Sequence, residues 1–147
     1  FFEDVISGYK KQFIFEGGQS IWCRHYGNET RDKTHTINDG SVLWILGLKT
    51  EWVGTINHTK NGGSTEICGH FCYDGIGGEN SYPIIPYYYP MYINEESSMS
   101  ATCGRQHFSS NAGYDQYVQE IQNGEERILW RSAVGNGGFS LYVGREQ

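Results

Sequence analysis

Clustered positive charge is the first thing this sequence lacks. Eleven Lys and Arg stand against seventeen Asp and Glu, for a net charge of −6. Only Lys10-Lys11 are adjacent, and a phosphate-binding surface needs grouped cations, so nucleic acid is excluded as a partner. Long apolar runs are missing too. The longest, Val42 to Leu46, falls far short of the roughly 18 residues of a spanning helix, so no membrane span is expected. Prolines number three, and Pro83, Pro86 and Pro90 all lie in one stretch. The chain starts at Phe1 without a signal-peptide pattern, which reads as a product whose targeting segment has been removed.

Catalytic signatures are also absent. There is no G-x-S-x-G elbow, no H-E-x-x-H, no phosphate loop and no dinucleotide fingerprint. The acidic pairs Glu95-Glu96 and Glu125-Glu126 would point to opposite faces of a strand, so neither is a glycosidase-type dyad. His25, His35, His58, His70 and His107 fall into no pattern with a serine or cysteine. The expectation is a non-enzyme without a cofactor.

What the chain has in quantity is glycine and aromatic residues. Twenty glycines and 15% Phe, Trp and Tyr, with 19% charged residues, favour strands and turns over helices. One domain over residues 1–147 is expected, long enough to bury a core. Short strands alternate with glycine-bearing turns. Gln12 to Phe15 and Ile21 to Tyr26 flank Gly17-Gly18; Thr34 to Ile37 and Ser41 to Leu48 flank Asn38-Asp39-Gly40; Trp52 to Thr59 and Thr65 to Phe71 flank Asn61-Gly62-Gly63. Asp-Gly and Asn-Gly are hairpin turn residues, so these read as successive hairpins. Tyr117 to Ile121, Arg127 to Val134 and Phe139 to Val143 read as a terminal meander. The unbroken Val42–Leu46 run reads as a central strand covered on both sides. The prediction is an all-β, disulfide-stapled antiparallel sandwich, with a closed antiparallel barrel as the alternative. A proline- and tyrosine-rich excursion at about 74–100 interrupts the rhythm, with an edge strand around Tyr87 to Ile93.

Cys23, Cys68, Cys72 and Cys103 are an even set suited to disulfides. In a regular strand Cys68 and Cys72 lie roughly 13 Å apart, too far to bond. Crossed pairings with Cys23 and Cys103 are therefore expected, unless Gly69 kinks the strand into a local ring. Cys68, His70, Cys72 and Cys103 also form a possible zinc set, but the C-x-H-x-C spacing does not match a knuckle, and no metal is expected. The oxygen-bearing run from Asp74 to Asn80 reads as turn chemistry before a calcium loop. Asn28-Glu29-Thr30 and Asn57-His58-Thr59 are N-glycosylation patterns, with Asn57 expected to face outward beside Thr55 and Thr59. Cysteines and acceptors together point to a secreted or cell-surface glycoprotein.

Function then rests on contact surfaces. Tyr82, Tyr87, Tyr88, Tyr89 and Tyr92, together with Phe1 and Phe2, are the expected contacts. The reading is a structural or adhesive extracellular subunit acting by binding or self-assembly, with the segment from Phe1 to Lys11 adding to a neighbouring sheet edge. Its partners would be other subunits or an extracellular protein, with glycans as a further ligand class. The tail Ser140-Leu141-Tyr142-Val143-Gly144-Arg145 resembles a fragment of the DM9 repeat, a module of some mannose-binding lectins, which implies a lectin-like alternative. Length, two expected disulfides and glycosylation are similar to lipocalin-like barrels, and imply a small-ligand carrier as a third.

Overall fold

The computed structural model describes residues 1–8, 11–30, 34–51, 54–73, 89–106, 114–135 and 137–145. The strands in chain order are β1 (Phe2–Gly8), β2 (Phe13–Glu16), β3 (Ser20–Glu29), β4 (Thr36–Asp39), β5 (Val42–Glu51) and β6 (Asn57–Lys60). They continue as β7 (Ser64–Tyr73), β8 (Tyr92–Glu95), β9 (Ser98–Gln106), β10 (Gln116–Gln122) and β11 (Glu125–Trp130), then a one-turn helix α1 (Arg131–Val134) and β12 (Gly138–Gly144). Odd-numbered strands up to β9, with β12, form one six-stranded sheet in the order β1-β3-β5-β7-β9-β12. Even-numbered strands up to β10, with β11, form the other, in the order β11-β10-β8-β6-β4-β2. We call these sheet A and sheet B.

The chain winds alternately through the two sheets, so each strand pairs with the strand two places on, in parallel. This is a β-solenoid, not an antiparallel sandwich or barrel. One coil takes 22 residues: Ser20 lies opposite Val42, and Val42 opposite Ser64. The next coil takes 34, since Ser64 lies opposite Ser98. The expected hairpins are corners between sheets. Thr36–Asp39 and Val42–Glu51, on either side of Gly40, belong to different sheets and do not pair. Asn123-Gly124 does make a hairpin, joining β10 to β11 in antiparallel fashion.

The corner that the sequence marks with glycine is a stack of nearly identical turns. Gly18, Gly40 and Gly62 have φ of 67°, 70° and 71°, a left-handed conformation in which a Cβ is costly, and Glu96 takes the next place at 45°. Successive turns bond to one another: the Gly40 N–H donates to Lys60 O at 3.0 Å, and the Gly62 N–H to Glu96 O at 2.9 Å. Asn38 ties the corner from inside. Its Nδ2 donates to Ser41 O at 2.9 Å, Ser64 O at 3.0 Å and Thr65 Oγ1 at 2.8 Å, and its Oδ1 accepts from the Ser41 N–H at 3.0 Å.

The core lies between the sheets and is built in rows one coil apart. Ile21-Leu43-Thr65-Met99 and Cys23-Ile45-Ile67-Ala101 are two rows from sheet A. Facing them, sheet B contributes Phe13-Thr36-Asn57-Tyr92-Val118 and Phe15-Asn38-Thr59-Asn94. The Val42–Leu46 run is covered on one face only: Leu43 and Ile45 are buried, while Leu46 is 59% exposed. Trp22 and Trp44 stack on the outer face, ring centroids 5.0 Å apart and 9° from parallel. The predicted 74–100 excursion falls only partly on described residues. Residues 74–88 lie outside the described residues, but β8 and β9 are regular inner strands of the two sheets.

Candidate functional site

Three features of the solenoid could carry a function: its two ends and the outer face of sheet A. The ends differ. Among the described residues the terminal strands at both ends, β1 and β2 at one and β11 and β12 at the other, have a strand neighbour on one side only, but beneath β1 and β2 the core finishes in phenylalanine rings. Phe2 lies 6.1 Å from Phe15, and Phe13 lies 6.3 Å from Phe15 and 5.1 Å from Tyr26, between ring centroids. Phe2 is 41% exposed. At the other end the chain reverses. β11 returns along β10, α1 crosses from sheet B to sheet A, and β12 runs antiparallel to β9. Tyr117 and Phe139 fill the core there, centroids 5.8 Å apart, and the Tyr117 hydroxyl donates to Gly135 O at 3.0 Å. Edge strand β11 carries Glu125, Glu126 and Arg127, charges that discourage further strand pairing.

On sheet A a second glycine row cuts across the strands. In each coil one residue leaves the ladder in a left-handed conformation: Asp4 in β1, His25 in β3, Gly47 in β5 and Gly69 in β7, with φ of 52°, 51°, 78° and 82°. Pairing skips these places, running Arg24↔Leu46 then Tyr26↔Leu48, and Leu46↔Cys68 then Leu48↔His70. The bulge row leaves a groove of about 500 Å³ floored by Gly27, Gly47 and Gly69, with Leu48 at its base and Ile6 and Phe71 as walls. Its charged neighbours are already engaged. His25 Nδ1 sits 2.8 Å from Asp4 Oδ1, and Lys49 Nζ lies 2.8 Å from Glu29 Oε1 and bonds Glu51 as well.

The same bulges undo the disulfide prediction. None of the four cysteines forms a disulfide. The extra residue at Gly69 shifts the alternation, so Cys68 points out while Cys72 points in, and Cys23 lies two strands away on β3. Cys103 is buried opposite His70, its Sγ 3.6 Å from both His70 Nδ1 and Met91 Sδ. Burial pushes the Cys23 thiol up to about 11, and burial with the nearby Glu66 carboxylate raises that of Cys68. Both are poor nucleophiles at neutral pH.

His70 and His35 are the strongly perturbed histidines. His70 is hydrogen-bonded to Thr50 Oγ1 at 2.7 Å and Tyr92 OH at 2.5 Å. Burial, and then the neighbouring His35, lower its pKa to about 3. Burial lowers that of His35 to about 4, offset in part by a backbone hydrogen bond at Thr30. Both are buried, neutral histidines of the core. Among the described residues, no three His, Cys, Asp or Glu side chains are grouped to hold a metal ion, and no helix is long and apolar enough to cross a membrane.

Asn28 and Asn57 are fully buried. Their Nδ2 atoms, where a sugar would be joined, donate to His35 O at 2.9 Å and Thr59 Oγ1 at 2.8 Å. Thr55 and Thr59 are buried with them, opposite to the outward face expected from alternation. The folded chain presents neither nitrogen to solvent. Of the tyrosine surface, Tyr82, Tyr87 and Tyr88 lie outside the described residues, Tyr89 is exposed, and Tyr92 is a core residue. Phe1 is exposed and Phe2 half-buried at the open end. The groove went unread in the sequence, although Ile45-Leu46-Gly47 and Ile67-Cys68-Gly69, one 22-residue coil apart, carried its signal.

No known family model, curated protein or solved structure matches this chain.

Proposed function

We propose that this domain works by assembly, taking a further parallel β-coil onto its open β1/β2 end and terminating the stack at its β11–β12 end. The observation that carries this is the difference between the ends. β1 and β2 offer unpaired backbone edges over an apolar cross-section of Phe2, Phe13 and Phe15. A coil stacked there would satisfy both edges and cover the rings, which is how each inner coil of this solenoid treats its neighbour. The closed end carries charge and a reversed strand. Charge and strand reversal disfavour stacking at that end, so the reading is a stack terminated at β11–β12 and not a filament.

The test is hydrogen exchange with the intact chain and, as probe, a synthetic peptide of residues 20–41, one coil of the same solenoid. Excess peptide should slow amide exchange in β1 and β2 and leave β11 and β12 unchanged. Sedimentation of the chain alone should show no species larger than a dimer. Filaments, protection at β11–β12, or unaltered β1 and β2 amides at millimolar peptide would sink the proposal.

A further inference from the structure

We infer that the groove on sheet A binds a small, uncharged, apolar ligand. The site does not depend on what occupies the open end. Its volume of about 500 Å³ lies within the range of roughly 300–1,000 Å³ typical of small-molecule sites. It spans four strands from β1 to β7, about 14 Å at a strand spacing of about 4.8 Å. It is formed by the backbone, because Gly47 and Gly69 bring no side chain into it. A Cβ on Gly47 would touch His25 Cδ2 at 3.7 Å, whereas one on Gly69 would meet nothing within 4 Å. The groove is therefore narrow beneath His25 and open above Gly69.

The charge of the ligand follows from what the lining has left to offer. His25 is paired with Asp4, and Lys49 with Glu29 and Glu51. Two further polar residues reach the wall with their polar atoms turned inward: the Tyr26 hydroxyl bonds Thr36 Oγ1 at 2.9 Å, and the His70 nitrogens bond Thr50 and Tyr92. Ile6, Leu48 and Phe71 supply the remaining contact. An ionised group in this groove would lose its hydration without gaining a free partner. A neutral apolar body loses nothing, and its burial is favoured in proportion to the area it hides.

The probe is N-phenyl-1-naphthylamine, a neutral apolar fluorophore, titrated into the intact chain. Saturable, one-to-one enhancement is expected. 1-Adamantanol should displace the probe at concentrations about tenfold lower than 1-adamantanecarboxylate or 1-adamantanammonium, the charged forms meeting the desolvation penalty. Gly69→Asn places a side chain in the open part of the groove in a conformation that asparagine tolerates, and should weaken probe binding at least fivefold. Phe71→Ser should do the same by removing a wall. Leu141→Ser alters a side chain that is 63% exposed on the same sheet but outside the groove, and should change binding less than twofold. Circular dichroism checks that each variant is folded, and if Phe71→Ser unfolds, Gly69→Asn decides. No saturable enhancement, equal displacement by the charged analogues, or loss of binding in Leu141→Ser but not in Gly69→Asn overturns the inference.

Discussion

Lowering the pH from 7.5 to 5 should destabilise this fold by about 4 kcal/mol through two histidines, on a reference His pKa of about 6.5 in the unfolded chain. His35 and His70 are neutral in the folded state, held at about 4 and about 3 by burial. Once unfolded, each takes up a proton below about pH 6.5. A lowered histidine pKa means that the unfolded state binds more protons in this window, so stability rises with pH through it and is lost as pH falls. At pH 5 each histidine contributes about 1.5 pH units times 1.36 kcal/mol, roughly 2 kcal/mol. That figure depends only on both folded values lying well below 5, not on how far below. The window also stops short of the ordinary carboxylate range near 4, so acids contribute little. Against a typical total of about 5–15 kcal/mol, the loss is large. With a urea m-value of about 2 kcal/mol/M, the midpoint should fall by about 2 M between the two pH values. His35→Leu should halve that fall, since it removes one of the two titrations. The readout is the difference in midpoint between pH values, which survives any uniform change in stability. Equal midpoints at pH 7.5 and 5 in the native chain, or an undiminished difference in His35→Leu, would refute the reasoning.

The turn stack and the thiols make two further predictions. Asn38→Ala should cost about 2–4 kcal/mol in urea unfolding, because it strips partners from carbonyls and a hydroxyl inside the corner. A cost below about 0.5 kcal/mol, within the range of ordinary surface changes, would mean the corner does not rely on it. Ellman's reagent should modify Cys68 alone in the native chain and all four cysteines in denaturant without reductant. Fewer than four thiols under denaturing conditions would restore a disulfide.

Strand positions were legible in the sequence because inward and outward alternation belongs to each strand by itself. β3, β5, β7, β10 and β12 lie where Ile21–Tyr26, Ser41–Leu48, Thr65–Phe71, Tyr117–Ile121 and Phe139–Val143 pointed. Strand partners were not legible, because alternation is the same whether the neighbour is the next strand or the one after it. Asp39-Gly40 supplies a left-handed corner equally well to a hairpin or to a coil, and only the 22-residue spacing tells them apart. That spacing is blurred by the 34-residue coil from Ser64 to Ser98 and by rows that keep burial without identity, such as Ile21, Leu43, Thr65 and Met99. Buried polar rows misled in the same way: Asn57 and Thr59 read as an outer face because a solenoid core holds hydrogen-bonded polar ladders that a sandwich core rarely does. The groove depends on glycines aligned across coils, and alignment is visible only once the coil is known.

The unequal coils make this fold a scaffold that keeps its register across coils of different length. Between Tyr73 and Tyr92 the chain takes up the additional residues of the longer coil, yet Asn57 still meets Tyr92 and Ser64 still meets Ser98 in register. The glycine corner opposite permits no such freedom, since each of its turns is bonded to the next. An insertion at Gly40 or Gly62 would therefore interrupt the ladder, whereas a difference of twelve residues between successive coils does not.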